Sequence, residues 1–321
     1  MSVDMEEVKV IDDNINLYGK EESIRLKGIL VIIMFWAHMF AHPERMWIGV
    51  NYKTILIIGG TPIEEILVPI FHIAVPLFFF IGGYAFWIGF GNTISFKKVR
   101  NQIFRLYQKY LLVFGTCIPI CFAFGIIKFD LREFILNLIA VSSSYCGEWW
   151  FLFTYILLLI FFHFVNLIIN EIDKKAKISK SMVSLIVMAC SIALAVFGYG
   201  LKFMISKFGV TEQNLIYYHT YYLFIKQPFF ALGYIMSREN LINSFLGIIK
   251  EKKIKYYSFM IIGIILCIII PLCPLYKIPE TFFYVIYIPL FICLYCTIDN
   301  FVGGGLRQYL CLSVKTLPIC G

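Results

Sequence analysis

Four ionisable side chains lie inside the first strongly apolar stretch of this sequence, RLKGILVIIMFWAHMFAH, which covers residues 25–42. Lys27 and His38 are eleven residues apart, so they would share one face of a helix, about 16 Å apart along its axis. His42 follows one turn later on nearly the same face, and Arg25 precedes Lys27. Ionisable groups inside membrane spans usually face the bundle interior or a water-filled path. An imidazole in a span can be a neutral packing residue or the general base that activates a hydroxyl.

The basic residues and the additional histidines can also have structural roles. Basic residues at the cytoplasmic end of a span commonly extend to the lipid headgroups, so Arg25 and Lys27 could be topology anchors. His42 and His72 could lie at similar depth and bind a metal together, but no carboxylate or third ligand is evident in these spans. We therefore predict no metal site, and we expect these two histidines to form hydrogen bonds at the interface or to contact a substrate.

Lys226, in the run YYLFIKQPFFALGY, is the residue of this chain that is most costly to place in a membrane. Gln227 and Pro228 follow it, and a proline leaves a backbone carbonyl unpaired one turn earlier. This pattern favours a function for Lys226, either holding an anionic group or pairing with a carboxylate from elsewhere in the chain. Glu148 and Trp149 open the run GEWWFLFTY, where Trp149 could be an interfacial aromatic residue or, with Glu148, contact a substrate.

The composition places these residues in a membrane protein. Of the 321 residues, 60% are hydrophobic and 18% are aromatic, and the mean hydropathy is +0.82. A soluble domain has an apolar content of roughly 45–50%. The net charge of +8 does not predict a nucleic-acid partner, because the basic residues fall in loops between apolar runs. The ten cysteines lie mostly inside those runs, where a thiol packs as a small hydrophobic group.

These runs predict an all-α, polytopic transmembrane helix bundle. Its eight predicted spans cover about residues 27–42, 65–90, 106–127, 149–169, 182–202, 215–236, 256–275 and 281–298. Most of the 28 lysines and arginines then fall on one side, so both termini are predicted to be cytoplasmic. Residues 1–24 would form a cytoplasmic arm, residues 25–300 the bundle and residues 301–321 a C-terminal tail. The apolar segment 131–144 is too short to span and would form an interfacial or re-entrant helix on the outer side.

A group of basic residues follows the second predicted span. Its members are Lys97, Lys98, Arg100 and Arg105. Together with Arg25 and Lys27, these side chains could hold the phosphate groups of CoA. The positive-inside rule alone would also place them on this side of the membrane.

Four segments of the sequence occur in an order and spacing that are typical of a known family. They are RLKGILVIIMFWAH, VPLFFFIGGYAF, FRLYQKYLL and EWWFLFTYILLL. From about residue 22 to residue 312, the chain resembles the bacterial membrane acyltransferase family 3. Members of this family are integral-membrane O-acyltransferases that modify cell-surface glycans. The most specific element is a basic residue at a fixed distance before a histidine inside the membrane, which Lys27 and His38 match.

The resemblance implies a multi-pass enzyme of the bacterial plasma membrane, lying among membrane lipids. It would transfer an acyl group, usually acetyl from acetyl-CoA, to a hydroxyl of a glycan or lipid-linked sugar. His38 would be the catalytic imidazole and would act directly as a base or through a transient acyl-imidazole. Lys27, with Arg25 beside it, would stand where the family has an essential arginine. Arg105 would match the second arginine of an Arg-x-x-Arg pair, whose first position is Gln102 here.

Three departures from the family keep other functions open. Gly82 and Gln108 differ from the residues that are common in the family at these positions, and the family commonly has more spans than the eight predicted here. We therefore expect the chain to be truncated at its C-terminus relative to the family, and an inactive acyltransferase is one alternative. A glycan or lipid transporter or flippase is the other, because it would equally use intramembrane His and Lys residues and a helix broken by proline.

Overall fold

The structure, a computed structural model, is built almost entirely of α-helices. It describes residues 19–41, 53–91, 95–175, 178–207, 215–251, 261–269 and 279–302. The helices are α1 (Lys20–Phe40), α2 (Ile63–Ile66), α3 (Val68–Phe71), α4 (Ala74–Phe90), α5 (Phe96–Ala123), α6 (Leu131–Leu138), α7 (Trp150–Lys175), α8 (Lys180–Lys207), α9 (Leu215–Arg238), α10 (Leu241–Glu251), α11 (261–269) and α12 (Glu280–Val302). A small antiparallel hairpin, β1 (Ile57–Ile58) and β2 (Thr61–Pro62), precedes α2.

The all-α membrane bundle predicted from the sequence is confirmed. Among the described residues, six helical segments are long and apolar enough to cross a membrane. They are Glu21–Phe40, Ile63–Phe90, Phe96–Ala123, Gly147–Lys175, Lys180–Ile205 and Glu280–Asp299. The predicted span 215–236 forms α9, which is less apolar because it carries residues such as His219 and Lys226. The predicted span 256–275 lies partly outside the described residues, of which 261–269 are helical.

The centre of the bundle is the contact between α4 and α9, which is more extensive than that of any other described helix pair. Two glycines permit this close approach. A Cβ atom on Gly83 would lie 1.9 Å from the main-chain oxygen of Phe230, and one on Gly233 would lie 1.9 Å from that of Phe80. Small residues at such crossings let two backbones approach closely in a membrane. Because α9 also contacts α7, α8, α10 and α12, it is enclosed by other helices, which explains why it tolerates polar side chains.

The span predicted for residues 65–90 is divided into the three helices α2, α3 and α4. Pro69 and Pro76 explain the breaks, because neither has the N–H group that would bond to the carbonyl four residues earlier. His72 therefore lies in the turn between α3 and α4, where it is exposed.

Two segments that were predicted to be loops are largely helical. Helix α5 begins at Phe96 rather than near residue 106, because Val99 and Tyr110 lie on a buried face that continues into the apolar part of the helix. The predicted loop 238–255 contains the amphipathic helix α10. Asn240 separates α9 from α10 in a left-handed conformation with a φ of 52°.

Contacts between helix termini define two ends of the bundle. At one end, called the Arg25 end, the start of α1 meets the end of α12, where Arg25 contacts Asp299. At the other end, called the His38 end, the last turn of α1 meets the start of α7, where His38 contacts Glu148. The segment 131–144 forms the eight-residue helix α6 and a following loop, which lead to the start of α7. As predicted, α6 is too short to cross a membrane.

Candidate active site

The central feature of the candidate site is the pair formed by His38 and Glu148. His38 lies in the last turn of α1, and Glu148 lies in a single 3-10 turn, Gly147–Trp149, that leads into α7. The His38 Nδ1 atom is 3.6 Å from Oε1 of Glu148, and the two side chains are 43% and 42% exposed. A carboxylate beside one imidazole nitrogen orients the ring, favours the tautomer with hydrogen on that nitrogen and stabilises the ring when it gains a proton. The pair therefore places a carboxylate next to an imidazole that a substrate can reach.

Cys146 also contacts the Glu148 carboxylate. Its thiol donates a hydrogen bond to Oε2 at 3.3 Å. Burial, and after it this hydrogen bond, raises the pKa of the Cys146 thiol to about 11. Because the thiol stays protonated at neutral pH, Cys146 acts as a hydrogen-bond donor to Glu148 and is a poor nucleophile.

Trp149, the next residue after Glu148, packs into an aromatic cluster. Its ring centroid lies 5.2 Å from that of Tyr110, edge to face, and 5.8 Å from that of Phe114. Trp149 therefore fixes the backbone next to Glu148 against α5.

Lys226 is buried in the middle of α9 and forms an ion pair with Glu280 at the start of α12. Its Nζ atom lies 2.8 and 3.0 Å from the two carboxylate oxygens of Glu280. The same ammonium lies 5.8 Å from the ring centroids of both Trp150 and Phe229. Of the two roles that the sequence favoured for Lys226, the structure shows the pairing with a carboxylate. Since Trp150 follows Glu148 by two residues, this ion pair lies in the same region as the His38–Glu148 pair.

Arg25 is fully engaged at the opposite end of α1. Its guanidinium, which is 2% exposed, donates to Asp299 at 3.1 and 2.6 Å and to Glu22 at 2.9 Å. Thirteen residues along a helix correspond to about 20 Å, so Arg25 and His38 do not act on the same atoms. Lys27 is half-buried on the same helix, about 16 Å from His38 along the axis.

The basic residues after the second span are all exposed on the first three turns of α5. They are Lys97, Lys98, Arg100 and Arg105. The Arg105 Nε atom donates to the main-chain oxygen of Asn101 at 3.4 Å, within its own helix. The structure does not bring these cations together with His38.

The remaining predicted site residues are the two other histidines. His42 lies outside the described residues. His72 is exposed between α3 and α4. Within the described parts of the chain, no group of three or more His, Cys, Asp or Glu side chains has the arrangement of a metal site.

Reasoning from the sequence missed the acidic partners of the buried cations. Asp299 and Glu280 were not singled out. A third pair, at the Arg25 end, was also missed: buried Arg238 donates two hydrogen bonds of 2.7 Å to Asp173. The available signal was that each buried cation requires a carboxylate, and few acidic residues occur near the ends of predicted spans. The sequence does not show which carboxylate pairs with which cation.

Comparison with known proteins identifies the family of the chain. Searches of curated proteins and of solved structures found no match. A family model, described as an acyltransferase domain, matches residues 23–307. The match covers most of the chain and includes the helices that carry His38, Glu148 and Lys226. The chain therefore belongs to acyltransferase family 3 and is a membrane protein of the acyltransferase type.

Proposed function

We propose that the protein transfers an acyl group from acyl-CoA to a hydroxyl of a glycan or lipid-linked sugar, with His38 as the general base. The observation that carries this proposal is the pairing of His38 with Glu148 in a chain of an acyltransferase family. Acetyl-CoA is the first donor to test, because the family resemblance implies acetyl transfer. We place the enzyme in the bacterial plasma membrane with both termini in the cytoplasm, as the distribution of basic residues predicts.

The proposed reaction uses the two nitrogens of His38 differently. Nδ1 faces the Glu148 carboxylate at 3.6 Å, which favours the hydrogen on Nδ1 and leaves the lone pair on Nε2 to act as the base. Nε2 takes the proton from the sugar hydroxyl while the hydroxyl oxygen attacks the carbonyl carbon of the thioester. The tetrahedral oxyanion then expels the CoA thiolate, which takes the proton from the imidazolium. The Glu148 carboxylate stabilises the imidazolium between these steps.

The ion pair of Lys226 and Glu280 supports an acceptor site next to His38. Glu280 is 46% exposed, so its carboxylate can accept hydrogen bonds from sugar hydroxyls while Lys226 holds it in place. Trp150 lies beside Lys226 and packs on Tyr222 with a centroid distance of 4.6 Å, which gives an aromatic surface for a sugar ring. We propose His72 as a further acceptor contact, because it is exposed in the break of the second span.

The exposed cations of α5 support a donor site at the Arg25 end. Lys97, Lys98, Arg100 and Arg105 would bind the phosphates of CoA by charge-assisted hydrogen bonds. Lys27 would add positive charge on the path between these cations and His38. We expect Arg25 to anchor α1 instead, because carboxylates already occupy its guanidinium. The thioester of the bound donor must therefore extend along the bundle to reach His38.

The test is transfer of label from radiolabelled acetyl-CoA into the glycan and lipid-linked fractions of membranes that contain the protein. We expect incorporation with the native chain and loss of incorporation with His38→Ala. The matched control is His163→Gln, which changes a buried histidine of α7 and should retain incorporation. Equal incorporation by His38→Ala, at equal protein level, would contradict the proposed role of His38.

The second candidate function is a glycan or lipid transporter, which one observation favours. Helix α9 continues through Pro228, and two residues earlier it carries the buried Lys226, which pairs with Glu280. Charged residues inside the membrane beside a helix proline occur in transporters. Movement of labelled lipid-linked sugar across vesicles, without any label from acetyl-CoA, would support this alternative. A chain that does neither would be an inactive member of the family.

A further inference from the structure

The segment that carries Glu148 is held in place by side chains from two other helices. We call this segment, residues 130–148, the cap. It consists of α6 and a loop of irregular structure that ends at the 3-10 turn before α7. An irregular loop next to a catalytic group fixes that group only if other contacts hold the loop.

Two carbonyl groups in the last turn of α6 and one in the following loop accept hydrogen bonds from outside the cap. The hydroxyl of Tyr110, on α5, donates to the main-chain oxygen of Asn137, and the hydroxyl of Tyr107 donates to that of Leu138 at 2.5 Å. His219, on α9, contacts the main-chain oxygen of Val141 through Nε2 at 2.6 Å, so this nitrogen carries the hydrogen. The last carbonyls of a helix have no partner within the helix, and here α5 provides partners for those of Asn137 and Leu138. Helix α9 holds the following loop at Val141.

Hydrogen bonds within the cap connect α6 to the residues just before Glu148. The fully buried Asn137 side chain donates from Nδ2 to the main-chain oxygen of Glu133 and to Ser144 Oγ, both at 2.8 Å. Its Oδ1 accepts from the main-chain nitrogen of Tyr145 at 3.3 Å. Ser144 Oγ in turn donates to the Glu133 carboxylate at 2.7 Å. These bonds connect α6 directly to residues 144–145, three residues before Glu148.

Tyr110 acts on the cap at two places. Its hydroxyl holds the end of α6 through Asn137, and its ring packs edge to face against Trp149, the neighbour of Glu148. Ala140, between these contacts, is buried and has a left-handed φ of 59°. A residue other than glycine keeps this conformation only where its surroundings enforce it. The cap is therefore held in one conformation from both sides.

We propose that Tyr110 and Asn137 are positioning residues that hold the Glu148 carboxylate against Nδ1 of His38. This inference rests on the proposed function, because it assigns these residues to the catalytic pair. The hydrogen bonds of both residues go to groups of the cap, so both act through the backbone of the cap. A displacement of about 1 Å in a reacting group can lower a rate by roughly 100-fold.

The key variant is Tyr110→Phe, which removes the hydroxyl but keeps the ring against Trp149. We expect its kcat to fall by roughly 10- to 100-fold. The KM for acetyl-CoA should stay unchanged, because the proposed donor cations lie at the Arg25 end. The matched control is Tyr287→Phe, which removes another buried tyrosine hydroxyl that donates to a main-chain oxygen, that of Cys267 at 2.6 Å. This control should keep the native kcat.

Combining Tyr110→Phe with Glu148→Gln distinguishes a positioning role of Tyr110 from a general loss of folding. If Tyr110 acts through Glu148, the double variant is no slower than Glu148→Gln alone. If the effects of the two changes multiply, Tyr110 acts through another route, and the inference is wrong. Native kcat in both Tyr110→Phe and Asn137→Ala would also overturn it.

A second measurement does not depend on activity. The rate of alkylation of Cys146, measured by peptide mass spectrometry in the intact protein, reports whether the cap opens. We expect faster alkylation in Tyr110→Phe, an unchanged rate in Tyr287→Phe, and an unchanged rate at the exposed Cys117 of α5 in both variants. Unchanged alkylation of Cys146 in Tyr110→Phe would overturn the inference even if the native enzyme is active. Faster alkylation with no acyl transfer by the native chain would support the role of Tyr110 in the cap and instead contradict the proposed function.

Discussion

The ion pair of Arg25 and Asp299 gives the most direct prediction about stability. Arg25 is 2% exposed, and two of its three short carboxylate contacts are to Asp299, at 3.1 and 2.6 Å. Asp299→Ala leaves the guanidinium buried with Glu22 as its remaining close partner. Removing one member of a buried pair costs about 3–5 kcal/mol. Because Glu22 stays at 2.9 Å, we expect the lower end of this range, about 3 kcal/mol, or roughly a 100-fold change in the unfolding equilibrium.

The assay is unfolding of the detergent-solubilised protein in increasing SDS, followed by circular dichroism. Glu171→Ala is the matched control, because this carboxylate forms its ion pairs with Lys174 and Lys175 on an exposed helix surface. We expect no measurable change for this control, since exposed pairs contribute little. The double variant Arg25→Met/Asp299→Leu should recover most of the lost stability, because it removes both charges. Native stability of Asp299→Ala would refute the reasoning that this pair joins α1 to α12.

Three other outcomes follow from the packing and the charges. Gly83→Ala and Gly233→Ala should each destabilise the bundle in the same unfolding assay, because the added methyl group would overlap a main-chain oxygen of the facing helix. Native stability of both variants would contradict the close crossing of α4 and α9. Lys226→Met should destabilise the protein, and the added change Glu280→Leu should restore part of the stability, which a double-mutant cycle would measure. Alkylation requires a thiolate, and burial raises the pKa of the Cys146 thiol to about 11. Cys146 should therefore react slowly at pH 8 and faster as the pH approaches 11. Fast labelling at pH 7 would contradict the burial of this thiol.

The membrane spans could be predicted from the sequence because hydropathy is a local property. The need of Lys226 for a carboxylate was also predictable, since an unpaired charge in a span is costly. His38 was predictable as a candidate base from its type and its place in the first span.

The pairing of residues from distant helices could not be predicted. Arg25 and Asp299 are separated by 274 positions, and hydropathy does not determine which helix ends meet. Glu148 could be identified as a polar residue at the start of a span, but its partner His38 depends on how α1 and α7 pack. The helix breaks at Pro69 and Pro76 divided a span that hydropathy presents as continuous.

The cap was only partly predictable for the same reason. Its short helix was recognised as too short to span. The hydroxyl groups of Tyr107 and Tyr110 that hold the cap lie on another helix, and their partners are backbone carbonyls, which all residues possess. The type of a residue therefore does not indicate whether its main-chain oxygen accepts such a hydrogen bond.

The central claim is that His38 and Glu148 act as one catalytic unit. The most direct measurement is the rate of acetyl transfer by the native chain, by His38→Ala, by Glu148→Gln and by the double variant in the same membranes. Residues that act as a unit give effects that do not multiply. The account predicts that Glu148→Gln is slower than the native chain and that the double variant is no slower than His38→Ala alone. A native rate for Glu148→Gln, or a double variant slowed by the product of the two single effects, would contradict it.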